Sequence, residues 1–361
     1  MEDGTTPGDA RNRAVPAALT VGLDVSDQYS ALCMLDEEGS VIEEGRVRTT
    51  VSALTQRFAG RAPCRVVLEV GTHSPWVSRL LAELGHEVIV ANPRAVRLIA
   101  ESDRKQDRTD AEQLARLGRL DPRLLAPIRH RGEQAQQDLA FLRSRHSLVR
   151  ARTALINHVR GVVKAHGARL PACSAPAFHR KVAAHLPAGL RPALLPHLEL
   201  IAHLTHQIVA ADRQVEALSA ERYPETRLLR QVAGVGPLTA LTYVLTIEDP
   251  RRFRKSREVG PYLGLTPRQR QSGVRCPQLP ISKAGDRYLR QLLVGCAHYI
   301  LGPFGPESEL RRWGLRYAPA GARNARHRAV VAVARRLAVL LHHLWVTGEV
   351  YQPLRQEEQA A

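Results

Sequence analysis

Aromatic residues are scarce in this chain of 361 residues, at 4%, and cysteines number only five. Cys33, Cys64, Cys173, Cys276 and Cys296 contain no CxxC pair, which argues against a zinc module, and an odd number argues against a disulfide framework. No apolar run reaches membrane-spanning length, so no membrane partner is expected. The N-terminus, MEDGTTPGDARNR, is polar and mixed in charge, unlike a signal peptide. The expectation is a cytoplasmic, nucleoid-associated protein of a prokaryote.

What the chain has in excess is positive charge. The formal net charge is +17, and arginine far outnumbers lysine. It is unevenly spread: residues 1–120 carry net −3, residues 121–225 net +7 and residues 226–361 net +13. A near-neutral first part followed by two basic ones suggests chemistry first and polyanion binding after. Guanidinium groups read phosphates bidentately, which favours nucleic acid as the partner. The length allows two or three domains with real cores. The punctuation suggests a disordered extension over 1–17, an α/β domain over 18–127, a helical arm over 128–225, a basic domain over 226–345 and a tail over 346–361.

In the α/β stretch, Leu19–Val25, Ser30–Leu35 and Val41–Arg48 read as strands, the last two joined by the turn Asp36-Glu37-Glu38-Gly39. Val51–Ala59 is a short helix. RVVLE (Arg65–Glu69) and EVIVA (Glu87–Ala91) are apolar runs of the kind buried parallel strands show. Ser74-Pro75 opens a helix that Gly85 stops, and Pro93 opens another through Ala100. A meander followed by β-α-β-α units is the order of an RNase H-like, RuvC-like fold.

That order sets Asp24 and Glu69 at the carboxyl ends of neighbouring parallel strands, about 4.8 Å apart. Downstream, RKQDRTDAEQLARL (Arg104–Leu117) reads as a helix with Thr109 as N-cap and an apolar stripe of Ala111, Leu114, Ala115 and Leu117. Asp107 and Asp110, three apart, lie on one face of it. Four converging carboxylates would suit Mg²⁺, a hard cation with oxygen ligands. The bland alternative for Asp107 and Asp110 is complementation of the helix dipole.

Beyond Leu120–Pro127, which reads as a proline-punctuated linker, apolar residues recur at helical spacing from Glu133 to about Gly167 and from Leu198 to Glu221. The two segments should form an antiparallel hairpin or coiled coil. The first bears Arg143, Arg145, Arg150, Arg152 and Arg160 away from its apolar stripe. They are either a solvated face or a surface for nucleic acid or a partner protomer. LLRQVAGVGPLTA (Leu228–Ala240) has a helix-hairpin-helix signature, in which Gly234 and Gly236 allow close approach of a phosphate and Thr239 lies near a helix N-terminus. Further on, Ser272 stands in a Gln-Ser-Gly turn near Arg268, Arg270 and Arg275, with Ser282 and Lys283 following. On chemistry alone a Ser-Gly turn is usually only a turn, although an arginine cluster could activate a serine against a phosphate.

GLDVS, VVLEVGTHSPW and KQDRTDAEQLARL are similar to DEDD-type transposases and invertases of one insertion-element family, relatives of the Piv DNA invertase. VAGVGPLTALTYVLTIEDPRRF, YLGLTPRQRQSG and ISKAGDRYLRQLL resemble that family's C-terminal domain, in the family's order. The resemblance spans residues 20–302. It implies that Asp24, Glu69, Asp107 and Asp110 are the DEDD carboxylates, that Mg²⁺ is the cofactor and that Ser272 is a nucleophile, with Ser282 as fallback. It also implies a recombinase acting on donor and target DNA, a structured non-coding RNA that bridges them, and a homo-oligomer, dimer or tetramer. A structure-selective Mg²⁺ nuclease and a non-catalytic nucleic-acid scaffold remain the competing readings. An actin-like sugar kinase, which also ends its first strand in Asp, lacks here a glycine-rich phosphate loop.

Overall fold

The computed structural model describes residues 19–94, 107–270, 277, 279–317 and 324–354. The chain divides into two compact units, Met1–Arg131 and Gly132–Ala361. The extension over 1–17 and the helix expected after Pro93 fall outside the described residues, apart from Pro93 and Arg94.

The first unit is a mixed five-stranded sheet with helices on both faces. Its elements are β1 (Thr20–Asp24), β2 (Tyr29–Leu35), β3 (Val41–Arg48), α1 (Val51–Phe58), β4 (Arg65–Glu69), α2 (Ser74–Glu83), β5 (Glu87–Ala91) and α3 (Asp107–Leu120). The strand order is β3-β2-β1-β4-β5; β1 pairs antiparallel with β2 and parallel with β4, and β5 continues the parallel half. The β2–β3 turn closes because the Asp36 carboxylate accepts from Ser40 N at 2.7 Å and Gly39 adopts φ +86°. One sheet face packs Val21, Leu23, Val66 and Leu68 against Leu54, Phe58, Val77 and Leu81 of α1 and α2. The other lies under α3, with Ala111 and Ala115 on Ala31, Cys33 and Leu35, and Leu114 on Val67, Ile89 and Ala91.

Two expectations change here. Thr109 is the third residue of α3 and not its cap, since the helix is already formed at Asp107. The stretch Leu120–Pro127 is no free linker. Pro122–Leu125 forms a 3₁₀ turn capped by Asp121, Leu125 is fully buried, and Ile128 bridges Val90. Apolar Leu125 and Ile128 fill the sheet's edge, and that burial holds the segment in the first unit.

The second unit is mainly helical: α4 (Glu133–Ala165), α5 (Phe178–Val182), α6 (Arg191–Glu221), α7 (Thr226–Arg230), α8 (Pro237–Ile247), α9 (Val259–Tyr262), α10 (Arg287–Leu301), α11 (Glu309–Arg316) and α12 (Ala325–Thr347). Asp138 meets Arg222, Arg145 meets Asp212 and Arg152 meets Thr205, so α4 and α6 run antiparallel. Helix α6 starts seven residues earlier than its periodicity indicates, leaving Pro196 inside it, where a proline removes one backbone hydrogen bond. Helix α8 is buried from Thr239 to Ile247, and the Tyr243 hydroxyl donates to Ala338 O at 2.7 Å. Helix α12 corrects the reading of apolar runs. It has 23 residues, and an 18-residue stretch of it reaches a mean hydropathy of 1.5, long and apolar enough to cross a bilayer, but Val333, Leu337, Ala338 and Leu341 are fully buried in the helical core.

Candidate functional site

Strand alternation decides which way the end of the sheet points. Gly22 on β1 pairs with Val67 on β4, and Leu23 with Leu68. Asp24 and Glu69 come next in that register, two residues on from Gly22 and Val67, and so belong to the face that α3 covers. They are half-buried.

Helix α3 reaches the same end from above. It lies so close on β1 that a Cβ at Gly22 would sit 1.9 Å from Ala111 O, and a Cβ at Gly118 would sit 2.3 Å from a Val67 methyl. Gly118 is also held at the start of β4, where Arg65 donates to its carbonyl at 3.1 Å. The C-terminal half of α3 is thus over the start of the strands, and its N-terminus is toward their carboxyl ends. The buried stripe Ala111, Leu114, Gly118 extends backwards through Asp107, with Asp110 beside it. Asp24, Glu69, Asp107 and Asp110 therefore share one end and one face of the sheet. Asp110 is half-buried and Asp107 exposed. Among the described residues no three Asp, Glu, His or Cys side chains are grouped closely enough to hold a metal ion. The donor set itself, carboxylate oxygens only, has the chemistry a hard divalent cation takes. Of the neighbouring cations, Arg108 is bound to Glu44 on β3, Nε to Oε1 at 2.8 Å, and Arg104 and Lys105 lie outside the described residues.

A second feature of this end escapes a reading of the sequence. His73 Nε2 lies 3.2 Å from Asp27 Oδ1, and Trp76 Nε1 donates to His73 Nδ1 at 3.0 Å. Nδ1 is therefore an acceptor, so a neutral His73 carries its proton on Nε2 and donates it to Asp27. The pair ties the loop after β1 to the loop after β4. The available signal was spacing: Asp27 follows Asp24 by three residues, and His73 follows Glu69 by four.

In the second unit, Ser272 and Arg275 lie outside the described residues. The chain on either side of them pairs with itself: Pro267 bridges Ile281, Arg268 N donates to Pro280 O at 3.0 Å and Ser282 N to Thr266 O at 2.9 Å. The described segments on either side of Ser272 are thus hydrogen-bonded to each other, and Arg268 and Arg270 are exposed. Ser282 is half-buried, its Oγ accepting from Ala284 N at 3.4 Å, and Lys283 is exposed with φ +55°.

The nucleic-acid candidates divide. Gly234 has φ +90°, and a Cβ there would meet the Tyr299 ring at 2.7 Å, so that glycine serves the turn. Gly236 caps α8 in open space. Thr239 does not fit the role. It is 6% exposed, because it faces α10, where Cys296 donates to its hydroxyl at 3.6 Å.

The arginines of α4 are also largely engaged. Arg143 pairs with Asp286 at 2.7 Å, Arg145 with Asp212 at 2.7 Å, and Arg160 stacks over the Phe178 ring at 5.0 Å. Arg152 is buried and donates to Thr205 at 3.3 Å. Arg150 is exposed.

Residues 21–167 match a family model described as a transposase of the DEDD type, a class that implies an RNase H-like α/β fold, in accord with the mixed sheet. Residues 226–309 match a second model, described as the transposase IS116/IS110/IS902 family. The chain is 30% identical over 346 residues to a Pseudomonas aeruginosa protein described as a probable family 20 transposase, covering 92% of this chain and 98% of the relative. It is 29% identical over 351 residues to the transposase for insertion sequence element IS1111A of Coxiella burnetii, covering 95% and 93%. It is 28% identical over 296 residues to the transposase for insertion sequence element IS1328 of Yersinia enterocolitica, covering 80% and 85%.

Proposed function

The chain belongs to the IS116/IS110/IS902 family of insertion-sequence transposases, and from that premise we propose that it cuts and rejoins DNA through two groups of residues: Asp24, Glu69, Asp107 and Asp110 on the first unit, and Ser272 on the second. The observation that carries the first group is the register putting Asp24 beside Glu69 under the α3 face, with the N-terminus of α3 at the same end. Carboxylates drawn together from this end would repel one another unless a cation shared them. Asp24 and Glu69 would hold Mg²⁺ from the strands, and Asp107 and Asp110 from the helix. When bound, the ion supplies Lewis acidity at a phosphate oxygen. The Asp27–His73 pair holds the two loops at this end in register.

For the second group, attack by Ser272 Oγ on a phosphodiester forms one P–O ester bond as another breaks. The hydroxyl proton ends on the leaving oxygen, and the phosphoserine link keeps the ester for rejoining, which hydrolysis by water does not. Arg268 and Arg270, close to it in the chain, and Arg275 would offset charge developing on the phosphate. Donor and target DNA are bridged by a structured RNA encoded by the element, and the protein acts as a dimer or tetramer.

The test is a reaction of the full chain with element-end DNA, target DNA and the RNA transcribed beside the gene, trapped and digested for mass spectrometry. DNA on the peptide containing Ser272 is the expected result, lost in Ser272→Ala. An adduct on Ser282, or recombination at the wild-type rate in Ser272→Ala, would move the nucleophile elsewhere. Metal-dependent cleavage with no adduct would make the chain a nuclease.

A further inference from the structure

The helical unit carries a groove of about 1280 Å³ bounded by α11, α12 and the paired segments around Pro267 and Ile281. Its apolar surface includes Leu265, Ile281, Val331 and Leu340, and its basic lining includes Arg257, Arg328, Arg335 and Arg336. No aspartate or glutamate is among the described residues that line it. At one wall Trp313 and Tyr317 stack, ring centroids 5.3 Å apart and 26° from parallel, and the Arg336 guanidinium lies 4.3 Å from the Trp313 centroid. Tyr317 is 46% exposed, so part of this aromatic stack is open.

We propose that this groove binds an unpaired DNA strand, with bases against Tyr317 and the apolar surface and phosphates on the arginines. The charge is of one sign and complements a polyanion. The apolar surface separates strand from duplex: an intact duplex turns phosphates and sugars outward, whereas an unpaired strand offers base faces to aromatic and apolar side chains. Pro267 and Ile281, which bridge each other on either side of Ser272 in the chain, also line the groove. A strand lying there is beside the paired segments that flank the proposed nucleophile in the chain. The choice of DNA over RNA rests on the function proposed above; the groove's affinity for a single strand does not.

The test uses the full chain carrying Ser272→Ala, so that binding is read without chemistry and survives a failure of the catalytic reading. Fluorescence anisotropy with labelled oligothymidylate, a duplex of equal length and oligouridylate is compared with and without Tyr317→Ala. Tyr317→Ala should weaken oligothymidylate binding about fivefold or more, the low end for loss of one base–aromatic stack, and leave duplex binding unchanged. Tyr317→Phe should restore it. If Tyr317→Ala unfolds, Arg335→Gln takes its place and should lower the salt slope for oligothymidylate by about one. Equal losses on strand and duplex, or no loss on the strand, overturn the proposal. Oligouridylate bound more tightly than oligothymidylate, with the same dependence on Tyr317, overturns the assignment to DNA.

Discussion

The carboxylate end of the first unit and the arginines of α4 treat charge in opposite ways. At the sheet end, Asp24, Glu69, Asp107 and Asp110 are gathered at one end and one face by strand register and by a helix seated on Gly22. Along α4, Arg143, Arg145, Arg152 and Arg160 are separated, and each has its own neighbour in the protein: Asp286, Asp212, Thr205 and the Phe178 ring. Acids set at one end, no three of them close enough among the described residues to hold a metal ion, would repel one another once drawn together, whereas Arg143 and Arg145, each matched to a carboxylate, are ordinary scaffolding. The first pattern points to a ligand and the second to the fold. A run of arginines in a sequence is therefore weak evidence for a nucleic-acid surface.

The largest effect should come from the gathered end. Asp110→Asn is expected to lower DNA strand cleavage by at least about 100-fold and to leave the thermal unfolding midpoint about unchanged, because a half-buried side chain of the same size and polarity replaces it. Arg152→Met, on the other side of the comparison, should leave cleavage intact. Near-wild-type cleavage by Asp110→Asn would remove the reason for treating the two regions differently.

Next in size is the seat of α3. Gly22→Ala places a methyl 1.9 Å from the Ala111 carbonyl, which is backbone and cannot turn aside. Helix α3 must lift, at a cost of about 3 kcal/mol, and Asp107 and Asp110 move with it. Gly118→Ala meets only a Val67 methyl at 2.3 Å and should cost less. Denaturant unfolding measures both, and the order reversed would mean that α3 is not seated as described.

A smaller effect is expected at Asp138, where α4 and α6 meet. Its carboxylate is nearly buried and accepts from Tyr223 at 2.6 Å and Arg222 at 2.9 Å. Burial raises its pKa, but the hydrogen bonds from Tyr223, Arg222 and Gln134 outweigh it and hold the group below the ordinary value of 3.8. A depressed carboxylate stabilises the fold above its unfolded pKa and loses that contribution as pH falls through the folded one. Asp138→Asn should cost about 2 kcal/mol at neutral pH, and the difference from wild type should shrink as pH drops below the usual carboxylate range. Unfolding midpoints measured as a function of pH decide this. A constant difference down to strong acid would show that the charge of Asp138 is not what matters.

How far each region could be read in advance follows from where its partners lie. β3, β4 and β5 follow directly from Val41–Arg48, RVVLE and EVIVA, since alternation and apolar runs are local signals. The placement of Asp24 beside Glu69 needs only the βαβ connection and a period of two. The partners of the α4 arginines are 67 residues away for Arg145 and 143 away for Arg143, and no local pattern carries them. The same holds for Thr239, which sits at a helix start as its sequence suggests and is covered by Cys296 from 57 residues on. In α12, His327, Arg335, Arg336 and His342 break the run of apolar residues. Its buried face was legible only at helical spacing.

The smallest effect tests the comparison most finely, because it sets two arginines of one helix against each other. Arg150 and Arg152 are two residues apart, but Arg150 is exposed and Arg152 is 8% exposed beside Thr205. A cation reaching a phosphate releases counterions, so Arg150→Gln should reduce the slope of log affinity against log salt by about 0.9 if α4 contributes to DNA binding. Arg152→Met should leave the slope as it is, because a buried guanidinium displaces no counterion from DNA. Its folding stability should hold or rise, since an apolar side chain of similar length replaces a charge buried without a carboxylate partner, and such replacements are often neutral or stabilising. Slopes measured between about 50 and 200 mM salt, with a matched set of unfolding midpoints, give both numbers. A drop in slope for Arg152→Met equal to that for Arg150→Gln would mean that the hairpin opens to bind DNA. Unchanged slopes in both would place the DNA contacts elsewhere on the basic unit, leaving the arginines of α4 to hold the hairpin together.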